Sequence, residues 1–189
     1  MVVIDKPILL LLSGKARSGK DTFAELVREE VELGNTDIHT DVAILAFADI
    51  LKDVCRRNHY YENKTEDRDI LINIGDDMRQ IDLHVFARPI AHLATIYLKM
   101  GYKLIIVTDV RYKDEYDFMD ENVEADVITV QVSSPFDLQG VSEFAKKHPT
   151  ENLKMEPHYN IFLPEITNDN YKEIKKKIRN FINTILRDS

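Results

Sequence analysis

Short, nearly continuous apolar runs alternate with stretches of helical periodicity along this 189-residue chain. Ile8 to Leu12 is wholly apolar and predicts a first strand. Phe23, Leu26, Val27 and Val31 then fall on one helical face that ends near Gly34. Val42–Phe47 predicts a second strand, followed by a helix from about Asp49 with Leu51, Val54 and Cys55 turned inward. Residues 57–69 are polar and charged and read as an exposed excursion. Pro89 suits the first turn of a long helix, with Ile90, Leu93, Ala94, Tyr97 and Leu98 as its apolar face and Gly101 at its close. Lys103–Thr108 predicts a third strand buried on both faces, Asp126–Val132 a fourth, and Asn160–Leu163 a fifth at an edge. The last helix spans about Asn170–Leu186, with Tyr171, Ile174, Ile178, Phe181, Ile182 and Ile185 buried. Strands alternating with helices predict an α/β fold in three layers, a five-stranded parallel sheet flanked by helices.

The link between the first strand and first helix carries the clearest chemistry. It reads Gly14-Lys15-Ala16-Arg17-Ser18-Gly19-Lys20-Asp21-Thr22. Glycines five apart with Lys directly after the second, between strand and helix, form the spacing of a phosphate-cradling loop. Gly14 and Gly19 allow a tight turn, loop amides face an anion, and the helix adds its positive end. Lys20 supplies a cation for the β- and γ-phosphates of ATP. Asp21 stands where Ser or Thr commonly serves Mg²⁺, and its carboxylate is a hard oxygen ligand for that ion. Thr22 comes one residue late and points elsewhere.

Composition narrows the partners. The formal net charge of −8 disfavours broad binding to nucleic acid or anionic membranes. No apolar run approaches the ~18–20 residues that cross a bilayer, and no leader-like N-terminal pattern stands out, so the expected location is cytoplasmic. The single Cys55 excludes an internal disulfide and reads as a small packing residue. His84, His92, His148 and His158 lack metal-ligand spacing. Lys172, Lys175, Lys176, Lys177 and Arg179 read as a solvated face of the last helix. Ser133–Thr150, with Pro135, Gly140 and Pro149, is a candidate lid. The whole chain reads as one domain, with 57–80 as a candidate acceptor-binding excursion.

A second substrate requires polar groups at the C-terminal ends of the strands. Asp49 and Lys52 follow the second strand and by spacing alone read as an N-cap and a surface residue. Asp109 and Arg111 follow the third strand. Asp109 is placed to meet a Mg²⁺-bound water or a substrate hydroxyl, and Arg111 to grip phosphate with two prongs. Glu115, one turn on, is expected to orient Arg111. Arg79 is a further candidate clamp, and Asp76-Asp77 reads as a helix start or a metal-linked site.

The ordered motifs resemble a family. Gly14–Thr22, Phe47-Ala-Asp-Ile-Leu-Lys52, Ile74-Gly-Asp-Asp-Met-Arg79, Thr108-Asp-Val-Arg-Tyr-Lys-Asp-Glu115 and His148-Pro-Thr-Glu151 are similar to segments of phage and bacterial deoxynucleoside monophosphate kinases, P-loop NTPases related to phosphomevalonate kinases. The resemblance implies transfer of the ATP γ-phosphate to a deoxynucleoside 5′-monophosphate. Lys20 and the loop would hold ATP, and Asp21 would help place Mg²⁺. Asp49, Lys52, Arg79, Asp109 and Arg111 would form the acceptor side, with Lys20, Arg79, Asp109 and Arg111 as the catalytic set. Arginines are common in such lids, but Val132–Leu138 has none, and Lys146 and Lys147 are the nearest cations. The alternatives are a kinase for another phosphorylated metabolite, such as phosphomevalonate, and a nucleotide-binding regulatory protein. A homodimer through the last helix or the 57–69 excursion is a further expectation.

Overall fold

A computed structural model describes residues 6–36, 40–59, 68–151 and 156–188 of the chain. Five parallel strands lie in the order β2-β3-β1-β4-β5. They are β1 (Ile8–Ser13), β2 (Val42–Leu45), β3 (Leu104–Val110), β4 (Asp126–Ser133) and β5 (Tyr159–Phe162). Helices α1 (Lys20–Glu32), α2 (Phe47–Arg57), α3 (Arg68–Ile81), α4 (Ala87–Lys99), α5 (Lys113–Asn122), α6 (Glu143–Lys147) and α7 (Tyr171–Asp188) connect and flank them.

The apolar run of β1 is completely buried because it feeds two cores. Ile8, Leu10 and Leu12 pack with Phe23 and Val27 of α1 and with Ile178 and Ile182 of α7. Leu9 and Leu11 point to the opposite face and pack with Phe47 and Leu51 of α2, Ile90 of α4 and Met119 of α5. The period of two along a strand sends alternate residues to the two helical layers.

Several boundaries differ from the sequence reading. The second strand stops at Leu45, and Phe47 already begins α2. Asp49 lies inside that helix and is not its N-cap, which is Ala46. Val54 is exposed, whereas Leu51 and Cys55 are buried. Asp76 and Asp77 lie in the middle of α3 rather than at a helix start. Leu93 is also exposed, and the small residues Ala87, Ala91 and Ala94 let α4 approach the sheet in its place. Most of the expected 57–69 excursion, residues 60–67, lies outside the described residues. Among the described residues, no helix is long and apolar enough to cross a membrane.

The expected solvated face of α7 is only partly so. Lys172, Lys176 and Lys177 are exposed, but Lys175 and Arg179 reach α1. Glu30 of α1, fully buried, meets Arg179 at 2.8 Å and Lys175 at 3.0 Å. The apolar face of α7 is occupied within the chain, so a dimer contact through this helix would use its polar face.

Candidate functional site

The carboxyl ends of β1, β2 and β3 open onto a cleft of about 410 Å³. Open parallel sheets commonly place ligands in this crevice. Its walls include Ala16, Arg17, Lys20 and Asp21 from the glycine-bounded loop and α1. Asp49 and Lys52 come from α2, Arg79 from α3, Asp109 from the end of β3, and Arg111 from just beyond it. These residues, named from sequence, are therefore brought to one cavity. Gly14, Lys15, Ser18 and Gly19 of the loop do not line that cavity, and Thr22 lies in a separate groove between α1 and α7.

The loop is built around the two glycines. Gly14 adopts φ +141° and Gly19 φ +85°, and Gly19 caps α1 in the left-handed region. A Cβ on Gly14 would stand 2.2 Å from the Val132 carbonyl oxygen. Lys20 folds back over the loop and donates to the carbonyls of Gly14 and Lys15, both at 2.8 Å, and to Ser18 Oγ at 3.3 Å. Burial first, then the Arg111 charge, lower its pKa to about 7. A nearby anion favours the charged form of such a lysine.

Asp109 has a structural task that its sequence position did not reveal. Its Oδ1 accepts the Phe47 amide at 2.7 Å and its Oδ2 the Ala48 amide at 2.9 Å. It thus supplies in trans the N-cap that Ala46 cannot give α2. Burial pushes its carboxyl above the usual range, against the pull of these amides and of Arg111 and Lys52. Lys52 donates to Asp49 at 2.8 Å, one turn away on α2.

Glu115 orients Arg79, not the Arg111 guanidinium as expected. Its Oε1 accepts Arg79 at 2.8 Å, and its Oε2 accepts the backbone amides of Arg111 and Tyr112. The Arg79 guanidinium also lies over the rings of Phe86, at 4.6 Å, and Tyr112, at 4.3 Å. These contacts fix its planar fork at the cleft wall. Arg111 instead donates to Glu151 Oε1 at 2.9 Å.

The sequence reading does not single out Arg68, nor the partners of Asp76 and His148. Arg68 opens α3 and donates to Glu151 at 2.6 Å. Asp76 accepts the Tyr112 hydroxyl at 3.1 Å, and its other oxygen lies 2.9 Å from His148 Nε2. Burial raises the Tyr112 phenol to about 12, which keeps it a donor at neutral pH. The helical spacing of Leu71, Ile74 and Met78 was the available signal for α3 and would have carried it back towards Arg68.

The expected lid segment packs against the glycine-bounded loop, and His148 is its residue in the cleft wall. Leu138 N–H donates to Ala16 O at 2.8 Å, and Ser134 Oγ donates to Arg17 O at 3.0 Å. Val141 and Ala145 pack on Ala16, with Ile72 of α3 alongside. A 3₁₀ turn over Pro149–Glu151 follows α6 and delivers Glu151 to the loop. Lys146 pairs with Glu143, and neither Lys146 nor Lys147 lines the cleft. Among the described residues no cluster of three His, Cys, Asp or Glu side chains could hold a metal by itself. Mg²⁺ bound with a nucleotide needs only one or two carboxylates beside the phosphates, and Asp21 fits that demand at the cleft edge.

Neither a family model nor a curated protein sequence matches the chain. Solved structures do. The Mycobacterium tuberculosis APS kinase in complex with AMPPNP and APS is similar over 97% of this chain and 99% of its own, at 16% identity and a TM-score of 0.56. A sugar kinase from Janibacter sp. HTCC2649 is similar over 95% of this chain and 93% of its own, at 14% identity and a TM-score of 0.53. A putative kinase from Chloroflexus aurantiacus is similar over 96% and 99%, at 12% identity and a TM-score of 0.53. The chain therefore has the α/β fold of P-loop kinases, a five-stranded parallel sheet flanked by helices.

Proposed function

We propose that the chain is an ATP-dependent phosphotransferase whose acceptor is a deoxynucleoside or nucleoside 5′-monophosphate, acting in the cytoplasm. The observation that carries this reading is the cleft itself. Lys20 and the phosphate loop form one end, while Arg79, Arg111 and Lys52 extend the positive charge away from it. Leu51, Leu71, Phe47 and Phe86 add an apolar wall suited to a base.

A phosphate acceptor is already an anionic nucleophile. The protein's task is to align two anions and neutralise their repulsion, not to supply a strong base. Lys20 and the loop amides would hold the β- and γ-phosphates, and Asp21 would help hold Mg²⁺, which would supply electrophilic counter-charge. Arg79, fixed by Glu115, and Arg111 would grip the acceptor phosphate, with Asp49 and Lys52 beside it. Asp109 would act mainly by holding the amino end of α2 against the cleft. Residues 133–150 would serve as a lid, and α3 as the acceptor-binding excursion.

The test is ADP release from Mg·ATP in the presence of each deoxynucleoside monophosphate and its ribose counterpart. Stimulation by one or a few of them, with a diphosphate as product, is the expected result. Silence across the panel with ATP still bound would overturn the reading and favour another phosphorylated metabolite as acceptor.

A further inference from the structure

Three donors from three separate parts of the chain converge on one buried carboxylate. Glu151, its side chain 1% exposed, accepts the Ala16 amide through Oε2 at 2.7 Å. Through Oε1 it accepts Arg68 at 2.6 Å and Arg111 at 2.9 Å. Burial opposes its charge, but Arg111, the Ala16 amide and Arg68 together hold its carboxyl below the usual range. Ala16 belongs to the phosphate-cradling loop, so this anion sits beside donors of the kind that serve phosphate oxygens.

Arg68 has more donors than acceptors. One terminal nitrogen serves Glu151, while its Nε, shut off from water, has no hydrogen-bond partner among the described residues. An unsatisfied buried donor is rare and costly in a folded protein and points to a group that binds there. Burial and the nearby Arg111 charge both lower the Arg68 pKa. Arg68, Arg111 and Lys20 all line the cleft, and the buried Glu151 charge acts on each of them. A multiply charged group with several oxygens would complete the set.

We propose that Arg68 is a phosphoryl-transfer arginine, and that Glu151 is the positioning residue that holds it beside the loop and Arg111 until the γ-phosphoryl group of a bound nucleoside triphosphate engages the unpartnered Nε edge of Arg68. This inference rests on the phosphotransferase reading. In the transfer, an acceptor oxygen bonds to the γ-phosphorus as the bond from that phosphorus to the β,γ-bridging oxygen breaks. The electron pair of the broken bond leaves on the nucleoside diphosphate. Charge spreads over the equatorial and bridging oxygens at that moment. A guanidinium has five N–H donors, so Arg68 can keep one terminal nitrogen on Glu151 and turn its Nε edge to phosphate. Arg68 would thereby supply from α3 the cation that the arginine-free segment Val132–Leu138 lacks.

The experiment compares Arg68→Gln, Arg68→Lys and Glu151→Gln with wild type. Calorimetry first measures binding of Mg·AMPPNP and of ADP, which needs no turnover. Arg68→Gln is expected to weaken AMPPNP about tenfold and ADP less than about twofold. Arg68→Lys, which keeps the charge without the fork, is expected to fall between. An unchanged ratio of the two affinities overturns the proposal, and Arg68→Lys decides it if Arg68→Gln does not fold. With an acceptor that wild type phosphorylates, Arg68→Gln is expected to lower kcat by about 10²-fold and leave acceptor KM within about threefold. A kcat close to wild type overturns it. Glu151→Gln is expected to lower kcat while AMPPNP binds as tightly as before or more tightly; a loss of AMPPNP affinity matching that of Arg68→Gln would overturn the role given to Glu151. If wild type phosphorylates no acceptor, the phosphotransferase reading fails, while the affinity ratio still decides whether Arg68 meets the terminal phosphate.

Discussion

The carboxylate of Asp109 accepts the backbone N–H of Phe47 at 2.7 Å, across a sequence separation of 62 residues. The contact ties the end of β3 to the start of α2, and so fixes the wall that carries Asp49 and Lys52. Its loss exposes the unpaired amides of α2. Asp109→Ala is expected to cost about 1–2 kcal/mol of stability, and Asp109→Asn less, because an amide oxygen still accepts one of the two bonds. Urea denaturation checks this. Equal stability of wild type and Asp109→Ala would mean that α2 does not depend on this cap.

Lys20 makes nucleotide binding proton-linked. Folding lowers its pKa from 10.5 to about 7. Between those values the unfolded chain carries the proton and the folded chain does not. Stability from this group therefore rises as pH climbs from about 7 towards 10.5, and is lost as pH falls back to 7. A bound polyphosphate draws the proton back. At about pH 8, nucleotide binding is expected to take up close to one proton, measured by calorimetry in two buffers of different ionisation enthalpy. The uptake should vanish in Lys20→Met; a wild-type protein that binds with no uptake contradicts the shift.

The two loop glycines differ in what surrounds them. A Cβ on Gly14 meets the Val132 carbonyl oxygen at 2.2 Å, and that oxygen is fixed in β4. A Cβ on Gly19 meets only the tip of the Leu163 side chain, at 2.8 Å, which can turn aside. Both residues also hold a positive φ. Gly19→Ala is expected to cost about 1–2 kcal/mol, and Gly14→Ala clearly more. Thermal melts of the two variants decide the order, and the reverse order would show that the loop yields at Gly14.

Glu30 joins α1 to α7 through Arg179 and Lys175. Removing Glu30 takes away its bonds to Arg179, while Lys175 keeps Glu29 at 2.7 Å, so Glu30→Ala is expected to cost about 1–2 kcal/mol. Lys177 pairs with Glu173 on the surface of α7, both side chains being more than half exposed. Lys177→Ala is therefore expected to leave the unfolding midpoint unchanged. Chemical denaturation of the pair checks both, and similar midpoints for the two variants would remove the distinction between them.

Local pattern made much of this protein legible. The apolar run Ile8–Leu12 reads as a buried strand because it is short, continuous and followed by helical periodicity. The turn at Gly14 and Gly19 and the place of Lys20 beside it were legible, since their spacing encodes a backbone shape within one loop. The same local rules ranked Asp109 and Arg111 as candidates by their place after a strand. Partners were beyond their reach. That Asp109 caps α2, that Glu115 holds Arg79, and that Arg68 and Arg111 meet on Glu151 are contacts across 36 to 83 residues. Side-chain type and spacing state what a residue can bond to, but which group it meets depends on how the layers pack. Arg68 looks in sequence like an ordinary charge in a polar stretch, and Glu151 enters only as the end of the motif His148-Pro-Thr-Glu151, with no partner assigned. Only the folding of α3 and of the segment after β4 onto the phosphate loop buries them together, and burial turns those charges into a site.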